Sequence, residues 1–139
     1  MANYSELHED IVEFFNERLE LFHIPMSLSF YFQENSKQKQ LIKLTKIPEQ
    51  YSVIINKDIL VQVNQEYFDS FNSEGDDINT ILFDQALDMI ETNMDKGTFK
   101  IKSKTNFNAS LGIINKYSFE KVQRAIEVER LYEDQKTGE

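Results

Sequence analysis

The chain has 139 residues, a formal net charge of -9 at pH 7, 40% hydrophobic residues and no cysteine. That length allows one domain with a core that needs no staples, and the missing cysteine excludes disulfides and thiolate metal sites. The acidic balance opposes bulk attraction to nucleic acid or anionic membrane; no stretch approaches the roughly 18 apolar residues of a membrane span, and the acidic start is no signal peptide.

In chain order, residues 4 to 23 place Leu7, Ile11, Phe14, Phe15, Leu19 and Phe22 at spacings of three and four, which predicts a helix with one apolar face. Asn3 or Ser5 is the expected cap and Pro25 the expected stop. Glu13, Glu17 and Glu20 fall outside the apolar face and read as solvated. From Met26 the period changes to two, with Leu28, Phe30 and Phe32 alternating against Ser29, Tyr31 and Gln33 as in a half-buried strand. A polar turn, ENSKQ, separates it from a second strand, Gln40 to Ile47, with which it forms the first hairpin; Pro48 closes that strand. Tyr51 to Ile55 and Ile59 to Val63 are β-branched runs around Asn56, Lys57 and Asp58, which predicts another hairpin. Together these make a small antiparallel sheet of three to four strands.

Tyr67, Phe68 and Phe71 lie in a short helix, and Asp76 or Asp77 caps a longer one running to about Met94, with Gly97 just past its end. This second helix is the expected centre of the fold. Its apolar positions, from Ile78 through Met94, cover about two thirds of its circumference at 100° per residue, wider than the stripe of a surface helix. The remaining arc carries Asp84, Asp88, Glu91 and Asp95, a line that reads first as a solvated face, while Gln85 projects among the apolar residues. Thr98 to Ser103 alternates as a short strand. Two C-terminal helices follow, the first from Thr105 or Asn106 with Phe107, Leu111, Ile114 and Tyr117, the second from Ser118 with Val122, Ala125, Ile126 and Leu131. A polar tail begins near 134. The fold class is α+β in a single domain, residues 1 to 139.

This order of elements, with the phrase VQVNQEYFDSFNSEGDDINTILFDQALDMI, resembles a family of zincin-like metallopeptidases carried by bacteriophages and prophages. In that family the central helix opens with an apolar pair before the zinc motif HExxH. The resemblance lays it on Asp84, Gln85, Ala86, Leu87 and Asp88, with Thr105 at the third ligand, Asn106 beside it, and Lys104 and Tyr117 flanking that segment. Every motif residue has changed. A zincin needs two neutral imidazoles one turn apart and a glutamate base; here the positions hold two aspartates and a glutamine, which takes no proton at neutral pH. His8 and His23 are 15 residues apart in the sequence and form no such pair. The resemblance therefore implies a catalytically degenerate scaffold without cofactor, of phage or mobile-element origin. It would bind another protein, in a virion or on a host target, and reside in the host cytoplasm or the virion.

Two other chemistries are open in the sequence. Asp84 and Asp88, with Glu91, could hold a hard cation through oxygen ligands and serve a metal-dependent hydrolase, or act as an acid and base pair. Two lysine clusters, Lys37, Lys39, Lys43 and Lys46, then Lys96, Lys100, Lys102 and Lys104, would form a basic patch for nucleic acid if their segments lie side by side, with Tyr31 or Phe99 stacking bases. Solubility and edge protection account for the same lysines. No GxSxG and no phosphate-cradling glycine loop is present.

Overall fold

The computed structural model describes residues 4–24, 26–75, 77–102 and 119–137. The chain opens on a two-residue strand, β1 (Tyr4–Ser5), and helix α1 (Glu9–Phe22). The cap of α1 is His8, whose Nδ1 accepts from the Asp10 N–H at 3.2 Å, and not Ser5, which lies in β1. His23, left-handed at φ 50°, already ends the helix, so the stop precedes Pro25, which lies outside the described residues. Ile11 and Phe15 point inward, and the Phe15 ring meets Phe30 and Phe32 edge-on at 5.2 Å each.

Those two phenylalanines belong to β2 (Phe30–Asn35), which is followed by β3 (Ile42–Lys46), helix α2 (Glu49–Ile55) and β4 (Ile59–Val63). The sheet order is β1-β2-β4-β3. Strand β4 therefore sits between β2 and β3, parallel to β2 and antiparallel to β3. The expected all-antiparallel sheet is corrected to a mixed one, and β2 and β3 are not hairpin partners. The cause is the segment read as a strand at 51 to 55. It is a helix, begun at Pro48 (φ -53°) and ended by left-handed Asn56 (φ 58°), and it returns the chain so that β4 enters beside both earlier strands. Ile59, Val61 and Val63 then fill the core face at every second residue.

The turn after β2 is fixed by side chains. Asn64, fully buried, donates to the Gln38 carbonyl at 2.9 Å and accepts from the Tyr67 N–H, capping helix α3 (Gln65–Glu74). Gln38 Nε2 donates to the carbonyls of Gln40 and Gln62. This network holds residues 38 to 41 against the end of β4.

Helix α4 (Ile78–Asp88) is the buried centre of the fold: eight of its residues are buried, including Ile78, Ile81, Phe83 and Leu87. Phe83 meets the rings of Phe14, Phe15 and Phe68, and Asn79 Nδ2 ties the first turn to the Phe68 carbonyl at 2.9 Å. Asp77 stands at the N-cap position in a left-handed conformation, without a capping bond from its side chain; Asp76 is outside the described residues.

The helix is shorter than expected. It stops at Asp88, and a hairpin follows, β5 (Ile90–Asn93) and β6 (Thr98–Ile101), paired antiparallel. Gly97, at φ 66°, serves this turn instead of a helix end. The apolar period of α4 runs on through Ile90 and Met94, but pairing with Phe99 and Ile101 overrides it. Glu91 and Asp95 consequently leave the helix, and the acidic line does not exist as one face. The helix expected near 105 to 117 lies outside the described residues. The last one, α5 (Phe119–Thr137), packs Val122, Ala125 and Val128 into the core and extends to Thr137, past the expected start of the tail. Among the described residues no helix is long and apolar enough to cross a membrane.

Candidate functional site

Asp84 and Gln85 are adjacent on α4 and project about 100° apart, so they face different neighbours. Asp84 points toward α1. It is fully buried, against the expectation of a solvated face, and both of its carboxylate oxygens accept from one guanidinium: Arg18 Nε donates to Oδ1 at 2.8 Å and Nη2 to Oδ2 at 2.7 Å. The Arg18 side chain is 15% exposed. This fork-to-fork geometry satisfies a buried charge with a buried charge. A hard cation would have to reach a fully buried carboxylate whose two oxygens already accept from Arg18. Asp88, one turn on, is half-buried, and among the described residues no three histidines or carboxylates converge in a metal-binding group. Thr105, expected at the third ligand position, lies outside them. His8 and His23 are exposed at opposite ends of α1.

Gln85 points the other way, into a cleft of about 270 Å³. One wall is β3, through Ile42, Lys43 and Leu44; the other is Ile101 at the end of β6 and Lys102 just after it; α4 forms the floor with Leu82, Gln85 and Ala86, joined by Met89 at its C-cap; Glu129 of α5 lies at one end. Apolar side chains dominate the lining. Gln85 is only 4% exposed, and its Nε2 has no hydrogen-bond partner among the described residues. A buried amide donor without an acceptor costs about 1–3 kcal/mol, and here the donor lies just beneath a cavity wall. Gln38 Oε1 and Asn79 Oδ1 also lack partners, but each of those amides is held through its nitrogen.

Strand β3 borders this cleft as the last strand of its sheet, with β4 as its one ladder partner among the described residues. Because Ile47 N donates to Asp58 O on the β4 side, alternation along the strand turns the backbone groups of Ile42 and Leu44 toward the free edge. Glu129, 8% exposed, closes one end by accepting from the Leu41 N–H at 2.7 Å. At the other end Lys46 Nζ donates to the Phe99 carbonyl at 2.8 Å and lies 4.6 Å over the Phe99 ring.

The two lysine-bearing strands thus come together. Lys43 and Lys102 are exposed at the cleft, Lys46 is engaged by Phe99, and Lys100 pairs with Glu91 at 3.3 Å. Lys37 and Lys39 are exposed on the turn after β2 and do not line the cleft; Lys104 is outside the described residues. Phe99 is half-buried beneath Lys46, and Tyr31 is exposed on β2.

Two residues that organise this region escaped the sequence reading, Arg18 and Glu129. Each carried a signal: Arg18 falls in register with Ile11, Phe15 and Phe22 on the apolar stripe of α1, and Glu129 falls in register with Val122 and Ala125 on that of α5. A charge on an apolar stripe asks for a partner. Comparison of the chain with protein-family models, curated proteins and solved structures gives no match.

Proposed function

We propose that this chain is a non-catalytic interaction protein that holds an extended segment of another protein in the cleft between β3, α4 and β6. The observation that carries the reading is an apolar cavity floored by α4 and bordered by β3, a strand with no second ladder partner among the described residues, with the unpartnered Gln85 amide just beneath the cavity wall. A peptide laid along β3 would gain main-chain hydrogen bonds from that strand's free edge, place an apolar side chain against Leu82 and Ala86, and supply a carbonyl to the Gln85 amide once that side chain turns up into the space. At about 270 Å³ the cavity lies just under the roughly 300–1,000 Å³ of small-molecule sites, a size suited to a side chain or two. The resemblance to zincin-like phage proteins agrees with a scaffold that has lost its chemistry, since the positions of the two histidines and the base hold Asp84, Asp88 and Gln85. On that resemblance the protein comes from a phage or mobile element and acts in the host cytoplasm or in the virion.

The test has two arms. Panning a library of displayed peptides should select segments whose binding is abolished by Ala86→Trp, which fills the cleft. Purified protein incubated with zinc should show no peptidase activity; stoichiometric zinc together with peptide cleavage would end the reading.

A further inference from the structure

The cleft carries charge that its own fold does not use. Lys43 on one wall and Lys102 on the other are exposed and line the space, and neither has an ion-pair partner among the described residues. Their neighbours are engaged, Lys46 by the Phe99 carbonyl and ring and Lys100 by Glu91. Glu129, the carboxylate in the lining, is almost wholly buried and already accepts from the Leu41 N–H. Two cations are therefore left beside an apolar space, on a chain whose net charge is -9.

Strand geometry says what these cations would meet. Ile42 and Leu44 pack toward the core, and Lys43 between them stands on the opposite face of the sheet. A strand added at the free edge of β3 alternates in the same way. A residue turned in against Leu82 and Ala86 then has neighbours turned out on the Lys43 face, where opposite charges across a ladder attract. Resting on the reading of the cleft as a peptide site, we propose that its partner is an acidic extended segment of another protein, an apolar residue flanked by Asp or Glu whose carboxylates are met by Lys43 and Lys102. The net charge of the chain opposes such a ligand only at a distance, because charges further apart than about 8–10 Å are largely screened at physiological ionic strength, whereas the two lysines act at contact. A nucleic-acid strand fits less well, since a run of phosphates needs basic contacts along its length, and Lys37 and Lys39 do not line the cleft while Lys46 and Lys100 are engaged.

Panning the full chain against displayed random peptides, then measuring the affinity of selected sequences by fluorescence anisotropy, reads this out. Selected peptides should carry Asp or Glu beside an apolar residue, and changing those acids to Asn or Gln should weaken binding by about 5–20-fold. Lys43→Ala and Lys102→Ala should each weaken it by about 2–5-fold. Panning the double variant Lys43→Glu/Lys102→Glu should reverse the preference, enriching Lys and Arg beside the same apolar residue. Lys37→Glu, exposed and away from the cleft, changes the net charge without touching the site and should leave affinity within about twofold. Peptides that bind in a manner sensitive to Ala86→Trp but show no acidic preference overturn this proposal and leave the peptide site standing; a chain that selects no peptide overturns both. An oligothymidylate that binds more tightly than the selected peptides, and loses that binding in the double variant, also overturns it by assigning the lysines to phosphates.

Discussion

The two sides of α4 put neighbouring polar residues into similar burial with opposite outcomes. Toward α1, Asp84 is met by a guanidinium that answers both of its oxygens. Toward the cleft, Gln85 is as deeply buried in practice and its amide nitrogen is answered by nothing among the described residues. The first arrangement returns the cost of burial within the fold; the second leaves it outstanding among the described residues. Burial alone therefore does not set Gln85 apart from Asp84; burial without satisfaction, next to space, does.

The sharpest way to break the comparison is to remove one partner on the satisfied side. Arg18→Met should destabilise the protein by about 3–5 kcal/mol by leaving the Asp84 charge buried and unpaired, seen as a drop in the urea midpoint at constant m-value. The double variant Arg18→Met/Asp84→Met should recover most of that loss. If Arg18→Met proves neutral, the pair is not what holds the α1 side. Glu129→Ala is expected to cost about 1.5–3 kcal/mol, because it removes a charge-assisted bond and strands the buried Leu41 N–H. Less of the Asp84 type and more of the site type is expected at Gln85→Leu: stability unchanged or raised by about 1 kcal/mol, since an orphaned donor disappears, together with loss of peptide binding. A large destabilisation there would mean that Gln85 has a structural partner. The exposed pair Lys100–Glu91 supplies the baseline, with Lys100→Ala shifting stability by less than about 0.5 kcal/mol.

The comparison also shows what could be read before the fold was known. The α+β class, a buried central helix beginning near Ile78, the strand Ile59 to Val63, a short strand from Thr98 and the final helix all follow from local periodicity, although the central helix was expected to run on to about Met94 and the short strand to Ser103. Two segments were misread where local pattern and long-range pairing disagree. Val53, Ile54 and Ile55 look like a strand, but β4 already has β2 on one side and β3 on the other, so no ladder position remains beside it. Met89 and Ile90 continue the helical period of α4, but the backbone of Ile90 to Asn93 finds Thr98 to Ile101 across a glycine turn. Gln85 was legible as an oddity, a polar residue projecting among apolar ones. Its meaning was not, because that depends on β3 and β6 converging over it from far along the chain. Asp84 was read as solvated for the same reason: its partner lies 66 residues earlier.

The central claim, that the Gln85 side of α4 is a binding site and the Asp84 side is structure, has one direct measurement. The side-chain amide of Gln85 gives its own nitrogen–proton correlation in an NMR spectrum of labelled protein, and a peptide selected by panning can be titrated into that sample. The account predicts that the Gln85 amide signals move downfield and exchange more slowly with solvent as the peptide saturates, while the Arg18 Nε signal stays in place. Peptide binding that leaves the Gln85 amide unmoved, or that shifts Arg18 instead, would contradict it.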